Sequence, residues 1–352
     1  MITKHYYVIG LMSGTSLDGL DLAFCKFSQL NDRWLYKIHC AETIPYSKEW
    51  KERLSFLESV SALELVTADV EFGHLLGRLS KEFIEKHHLK PDFIASHGHT
   101  VFHQPDKKIT CQIGRGSAIA AETGLPVVCD FRSLDVALGG QGAPLVPIGD
   151  RLLFPEYEYC LNLGGFANIS YEQDGIRIAF DICPANIVLN DLAGAIGLDW
   201  DPDGQHASRG TIDHDLLAKL NSLPYYGKLP PKSLGKEWVV EHVFPLLQNA
   251  FNSKDDLLAT FCEHIAMQVA KSSSGNREKK FVITGGGALN KFLISRIQFH
   301  ASHKIIIPDL STVNFKEALI FAFLGVLRWR NEVNCLKSVT GALRDSIGGA
   351  IY

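Results

Sequence analysis

The residues with the clearest chemical potential lie near the start of the chain, in the run Gly10-Leu11-Met12-Ser13-Gly14-Thr15-Ser16-Leu17-Asp18-Gly19-Leu20-Asp21. Gly14 and Gly19 permit backbone angles that bring amide N–H groups close to an anion, and Ser13, Thr15 and Ser16 add hydroxyl donors, so the run reads as a turn that grips phosphate. Asp18 and Asp21 repel phosphate, but they suit Mg²⁺ or its water shell held against one. That combination points to ATP. The competing reading is an ordinary Ser/Gly/Asp hairpin turn. It is not a Walker loop, which needs a Lys before the Ser/Thr at the start of a helix.

Two further glycine turns follow. Tyr159 to Leu163 is an apolar strand that enters Gly164-Gly165 and returns through Ile169-Ser170-Tyr171, so it repeats the first arrangement. Lys280 to Thr284 has a buried-strand pattern and runs into Gly285-Gly286-Gly287, after which Ala288 to Ile297 has helical spacing. A strand-to-helix turn without side chains accepts a flat adenine and ribose, or lies against phosphate at a helix N-terminus. Two strand, glycine turn, strand units predict an internal duplication, with two lobes facing each other across a cleft.

Charged and polar residues complete the candidate site. Asp181 ends the strand Ile176 to Phe180, and Pro184 is expected to begin the next helix, which turns the carboxylate toward the cleft. Its competing role is a helix N-cap. Arg132 and Asp135 follow a strand, where they suit sugar hydroxyls or a carboxylate; a surface ion pair is the alternative. Lys232 follows two prolines that stiffen its loop, and it either screens phosphate charge or is an exposed turn lysine. His97, His99 and His103 invite a zinc reading, because residues two apart on a strand share a face; without an Asp or Cys cluster beside them, His97 reads instead as a hydrogen-bonding group near the cleft.

The chain resembles the anhydro-N-acetylmuramic acid kinase family. The resemblance rests on the Gly10–Asp21 run, Ser96-His97-Gly98-His99-Thr100-Val101-Phe102-His103, Gln112-Ile113-Gly114, Asp130-Phe131-Arg132 and Gly139-Gly140-Gln141-Gly142-Ala143-Pro144-Leu145-Val146-Pro147. It continues through Asn162-Leu163-Gly164-Gly165, Pro230-Pro231-Lys232-Ser233, Gly285 to Asn290, Glu317-Ala318 and Val339 to Ala342. The resemblance implies the sugar kinase, Hsp70 and actin superfamily, with two ribonuclease-H-like lobes. It also implies Asp181 as the general base, Asn186 on the sugar with His97, Arg132 and Asp135, and Glu317 with Asp18 and Asp21 near Mg²⁺. The implied reaction is hydrolytic opening of 1,6-anhydro-N-acetylmuramic acid with ATP-dependent phosphorylation of O6. Two alternatives stay open: a kinase for another anhydro sugar such as levoglucosan, or an Hsp70-like or actin-like ATPase module. Ile182 and Cys183 stand where the family pattern has Thr and Gly, and His99 where it has Gln. Asn314-Phe315-Lys316, before Glu317, also departs from it.

The elements that must position these residues alternate between strand and helix, which predicts an α/β architecture with mixed sheets. Strands are expected at Tyr6–Leu11, Leu20–Phe27, Trp34–Thr43, Asp92–Ser96 and Pro126–Asp130, with helices at Ser47–Val60 and Ala62–His87. Further helices are expected at Ile187–Ile196, Trp238–Phe251, Leu257–Lys271 and Phe315–Arg330. The glycine-rich Leu138–Ala143 is the expected crossing between an N-terminal lobe, 1–138, and a C-terminal lobe, 139–352. At 352 residues, 46% hydrophobic and 21% charged, with net charge −4, the composition is that of a soluble globular protein with no basic surplus for nucleic acid or anionic membrane. With no signal-peptide pattern, a cytoplasmic location is expected, and a homodimer is left open. The eight cysteines, scattered through apolar strands and helices without a Cys-x-x-Cys pair, read as buried reduced thiols.

Overall fold

A computed structural model describes residues 4–14, 17–248, 250, 252–273 and 279–352. The chain forms two compact units, Met1–Leu153 together with Phe315–Tyr352, and Phe154–Asn314. The expected boundary at 138/139 falls inside the first unit.

The first unit contains β1 (His5–Ser13), β2 (Gly19–Leu30), β3 (Arg33–Pro45), α1 (Lys48–Phe56), α2 (Ala62–Lys86), β4 (Phe93–Gln104) and β5 (Ile109–Ile113). It continues with α3 (Gly116–Thr123), β6 (Val127–Cys129), α4 (Ser133–Ala137) and α5 (Val146–Leu153). The second unit holds β7 (Tyr159–Leu163), β8 (Phe166–Gln173), β9 (Ile176–Pro184), α6 (Asn186–Gly194), α7 (His214–Asn221), α8 (Lys236–Trp238), α9 (Phe244–Gln248), α10 (Lys254–Ser272), β10 (Lys280–Thr284), α11 (Lys291–His300) and β11 (Lys304–Ile306). α12 (Leu310–Trp329) then carries the chain back into the first unit at Phe315, whose φ of −116° and ψ of 17° break the helix. α13 (Lys337–Thr340) and β12 (Ala350–Ile351) complete it.

The first sheet has the order β12-β6-β4-β1-β2-β3, with β5 on β4, and the second has β11-β10-β7-β8-β9. In each, three strands form an antiparallel meander and the next two lie parallel to the first of them. With β5 and β12 set aside, β3-β2-β1-β4-β6 in the first unit and β9-β8-β7-β10-β11 in the second share one order, which is the duplication that the glycine turns predict. Local sequence sets the meanders. Asn31-Asp32 (φ 49° and 63°) and Asp174-Gly175 (φ 51° and 77°) supply the left-handed pairs of tight two-residue hairpins.

Helices cover both faces of the first sheet. α2 starts on a capping box, in which the Ser61 hydroxyl accepts the Glu64 N–H and the Glu64 carboxylate accepts the Ser61 N–H. It buries Phe72, Leu76 and Phe83 against Ile9, Leu11 and Ile94. Alternate residues on the same strands face α12: a Cβ on Gly10 would run into the Ala318 carbonyl, and Phe93 stacks on Trp329 at 4.9 Å. Among the described residues α12 is the one helix long and apolar enough to cross a membrane by length and composition, and most of it is buried. The second unit closes around its own core of Leu161, Leu163, Ile169, Phe261, Ile265 and Phe281. All eight cysteines are free; Cys40, Cys111 and Cys129 are partly exposed, not buried.

Candidate active site

In the first unit the β1–β2 hairpin pairs Ser13 with Leu20 and Met12 with Asp21, and the Leu17 N–H bonds the Gly14 carbonyl at 3.3 Å. Thr15 and Ser16 lie outside the described residues. Ser13 is 2% exposed, with its hydroxyl between Tyr46 and His99, so it faces the core and not a ligand. Gly19 also has a packing reason, since a Cβ there would collide with the Ile44 carbonyl of β3. Asp18 is exposed and Asp21 is partly buried, accepting the Thr43 hydroxyl at 2.5 Å. Burial raises the Asp21 pKa, with a smaller push from Asp18.

Glu317 sits just past the break in α12, next to Lys316, which makes a buried ion pair with Asp150 at 2.7 Å. Burial raises the Glu317 pKa and the charge of Asp21 raises it further, against the pull of Arg132 and Lys316. A carboxylate whose ionisation is made costlier by a second carboxylate describes a place where a cation is favoured. Among the described residues no three His, Cys, Asp or Glu side chains gather as a metal-ligand group, so Asp18, Asp21 and Glu317 do not form a closed cage. An incomplete oxygen set fits Mg²⁺, which keeps several waters and takes one or two carboxylates plus phosphate oxygens.

The shared-face argument for His97 and His99 fails at a bulge. β4 pairs Leu11 with Ser96 but Ser13 with His99, so it carries one residue more than β1 there, and Gly98 adopts φ 72° to accommodate it. The alternation flips: His97 packs on Phe321 of α12, with ring centres 4.5 Å apart, and His99 on Phe72 of α2. His103 bonds the Thr110 hydroxyl. The three histidines therefore do not converge on a metal.

Burial drives the His97 pKa well below its usual value, so the ring is neutral. Its Nδ1–H then donates to the Gly98 carbonyl at 2.9 Å and its Nε2 accepts Arg132 Nε–H at 3.0 Å. Arg132 Nη1 donates to the Gly142 carbonyl at 2.6 Å. Burial pulls the guanidinium down to about 10, opposed by Glu317, and it stays charged at neutral pH. Asp135 differs from expectation. It is 1% exposed, and its carboxylate accepts the Gly142 N–H, the Thr340 hydroxyl and the Cys335 thiol, so it braces the 139–142 loop instead of offering itself to a sugar. Beside His97 a cavity of about 610 Å³ opens among Ser96, Gln112, Arg115, Asp130 and Ser133.

The second unit builds its own cluster. β9 runs on through Asp181 to Pro184, with a bulge at Ile182, and Ala185 precedes α6. Pro184 therefore ends a strand instead of starting a helix, and Asp181 is no N-cap. Its Oδ2 accepts the Leu234 N–H at 2.9 Å, its carbonyl accepts the Tyr225 hydroxyl at 2.6 Å, and its N–H donates to the Lys232 carbonyl at 3.2 Å. Burial pushes the Asp181 carboxyl up to about 6, against the Leu234 bond. Lys232 reaches the Tyr225 carbonyl and lies over the Tyr225 and Phe180 rings, 4.7 and 5.4 Å from their centres. Burial lowers its pKa, and Lys271 adds to that. Cys183 points into the core, where burial pushes its thiol up.

The glycine turns of this unit meet. The carbonyls of Gly164 and Gly165 accept the N–H groups of Ala185, Asn186 and Ile187, which caps α6. Asn186 Nδ2 donates to the Leu163 carbonyl, and its side chain lies against Gly286 and Gly287, so it joins the two turns. Gly285 has φ 83° and sits against Asn162 and Leu163, which leaves no room for a side chain. A Cβ on Gly164, Gly165 or Gly286 would meet only ordinary contacts, 3.5 to 4.0 Å from Asn162, Ile187 and Asn186 respectively. Tyr225, Leu234, Tyr46 and Thr43 were not found in the sequence, because no spacing connects them to their partners. Thr340 lies in the Val339–Ala342 block, which signals importance without a role.

A duplicated fold with a glycine hairpin backed by carboxylates in one unit, and a carboxylate fixed by the Lys232–Leu234 backbone with paired glycine turns in the other, suits a phosphotransferase. The chain matches the anhydro-N-acetylmuramic acid kinase family over residues 6–352, and it belongs to that family. It is 33% identical to the anhydro-N-acetylmuramic acid kinase of Sulfurimonas denitrificans, over 98% of this chain and 99% of that one. It is 34% identical to that of Azorhizobium caulinodans, over 98% of each. Among solved structures, it is similar to the activator of the 2-hydroxyisocaproyl-CoA dehydratase from Clostridium difficile with bound ADPNP, at 15% identity and a TM-score of 0.44, over 93% of this chain and 98% of that one.

Proposed function

We propose that this kinase opens the 1,6-anhydro ring of 1,6-anhydro-N-acetylmuramic acid with water and transfers the γ-phosphoryl group of ATP to O6, giving N-acetylmuramate 6-phosphate. The observation that carries the reading is Asp181, a partly buried carboxylate with one oxygen pinned by the Leu234 N–H and its own N–H bonded to the Lys232 carbonyl. An anhydro sugar has no free 6-hydroxyl, so a simple phosphoryl transfer has no acceptor. Asp181 supplies what is missing. With Oδ2 held by Leu234, Oδ1 takes a proton from water, the oxygen of that water forms the bond to C1, and the C1–O6 bond breaks. The released O6 then attacks the γ-phosphorus and ADP leaves.

The first unit supplies the hairpin amides around Gly14 for phosphate, and the cavity beside His97 supplies hydrogen-bonding groups of mixed type for a polyhydroxyl ring. Arg132, kept charged and oriented by His97 and Gly142, suits the lactyl carboxylate. Lys232 and the side-chain-free turns at Gly164-Gly165 and Gly286 serve phosphate and nucleotide in the second unit. Asp21 and Glu317 would hold Mg²⁺ through its waters, with Asp18 nearby, and the ion when bound would neutralise charge on the phosphates. Excluding stray water matters, since it would hydrolyse ATP instead.

A coupled ADP-release assay with 1,6-anhydro-N-acetylmuramic acid, with levoglucosan and with no sugar, read alongside product mass, tests the reading. The expected result is sugar-dependent turnover with the first and a product heavier by one phosphate and one water. Equal ADP release in all three arms, with no phosphorylated sugar, would overturn it.

A further inference from the structure

Behind the hairpin three polar side chains are buried in a place where apolar ones would pack without cost. Ser13 at the end of β1, Tyr46 just after β3 and His99 in β4 are each no more than 5% exposed. The Tyr46 hydroxyl donates to Ser13 Oγ at 2.7 Å, and Ser13 Oγ lies 3.0 Å from His99 Nδ1. Phe72 of α2 closes over the group, 5.7 Å from the Tyr46 ring and 6.2 Å from the His99 ring, and Trp50 lies 5.2 Å from Phe72.

The chain of donors has one consistent direction. Burial lowers the His99 pKa to about 4, so the ring is neutral at working pH and Nδ1 is free to accept. With Tyr46 donating into Ser13, the Ser13 proton goes to His99 Nδ1, and His99 carries its own proton on Nε2. Each hydroxyl in the chain is thereby committed inward. The bulge at Gly98 is what makes this arrangement possible, because without it His99 would face α12.

We propose that Tyr46, Ser13 and His99 form a buried brace that fixes the base of the phosphate hairpin, with His99 as a positioning residue for nucleotide and Ser13 as a structural link instead of a phosphate ligand. The proposal rests on the reading of this hairpin as a nucleotide site. A phosphate turn works through backbone amides aimed at fixed points, so whatever holds the strand just before Gly14 sets its affinity. The brace ties β1 to β4 on one side and to the end of β3 on the other, one residue short of the turn. A hydrogen-bonded chain specifies a single geometry, which apolar packing of similar volume does not.

The test is a comparison of His99→Leu, His99→Gln, Tyr46→Phe and Ser13→Ala by ATP calorimetry, steady-state kinetics and thermal melting. His99→Leu and Tyr46→Phe are expected to weaken ATP binding and raise the KM for ATP about three- to ten-fold, the scale of one buried hydrogen bond, while the KM for the sugar moves little. His99→Gln keeps an acceptor at this position and is expected to restore most of the ATP affinity. Should His99→Leu fail to fold, Tyr46→Phe, which removes only a hydroxyl, decides alone. A lowered melting temperature with ATP affinity unchanged in His99→Leu and Tyr46→Phe would overturn the proposal, and so would loss of ATP binding confined to Ser13→Ala, since that would make Ser13 a direct ligand. A parent protein that binds no ATP would overturn the nucleotide reading itself, and with it this brace.

Discussion

Leu234 donates its backbone N–H to Asp181 Oδ2 at 2.9 Å, across 53 residues of chain. The same segment accepts the Asp181 N–H through the Lys232 carbonyl and reaches the Asp181 carbonyl through the Tyr225 hydroxyl. One carboxylate oxygen is thus assigned to the scaffold and the other left for chemistry. Burial and the backbone bond oppose each other on this group, and burial wins.

A pH profile reads that balance. A carboxylate acts as base only when ionised, so kcat should fall about ten-fold per pH unit below about pH 6, the value to which burial raises Asp181. A kcat that is flat down to the usual carboxylate range would remove Asp181 from the rate-determining proton transfer.

Asp181→Asn separates chemistry from folding. Loss of a general base lowers kcat by roughly 10² to 10⁴, with ATP binding retained. The stability change has the opposite sign. The folded pKa lies above the unfolded one, so below the usual carboxylate value both states are protonated, and as pH rises toward and past about 6 the folded protein is penalised for holding a charge that is poorly solvated. Asn carries no such charge. The variant should melt higher than the parent at neutral pH, with the gap closing in acid; a variant that melts lower at neutral pH would contradict this.

Metal dependence tests the carboxylate pair. Asp21→Asn removes the charge that raises the cost of ionising Glu317, and Glu317→Gln removes the second carboxylate itself, so both should raise the Mg²⁺ concentration needed for half-maximal rate. Excess Mg²⁺ should recover part of the rate. Metal-free ATP binding, measured by calorimetry, should hold or strengthen, because less negative charge faces the phosphates. Unchanged Mg²⁺ curves in both variants would place the ion elsewhere.

Gly10 tests how tightly α12 is seated. Its missing Cβ is where the Ala318 carbonyl and the Ala322 methyl approach β1. Gly10→Val should destabilise the protein by roughly 1–3 kcal/mol or more, the usual scale of overpacking, seen as a lower urea midpoint. An unaltered midpoint would show that α12 yields without cost.

Apolar runs and glycine turns made the meanders and the strand into Gly285 legible in the sequence, because those signals are local. The failures are equally specific. Counting by twos put His97 and His99 on one face, and a single bulge at Gly98 reverses that. Pro184 looked like a helix start, whereas a bulge at Ile182 carries β9 on to it. The glycine-rich Leu138–Ala143 stretch reads in the sequence as the crossing between lobes. Gly140 and Gly142 instead serve close packing inside the first unit, where a Cβ on Gly140 would strike the Asp135 carboxylate and one on Gly142 the Val136 side chain. Tyr225 and Leu234 reach Asp181 only through tertiary folding, and nothing in their spacing announces it.

The first unit is written in two instalments. Residues up to Leu153 lay down most of its sheet, yet the face carrying Gly10, Phe27, Trp34 and Phe93 is covered by Ala318, Phe323 and Trp329, which the ribosome adds only after the whole of the second unit. During synthesis that apolar face waits uncovered while the second unit, continuous from Phe154 to Asn314, is free to fold first. The order of birth is therefore the reverse of the order of completion. The interval in between is when this chain has most need of a chaperone.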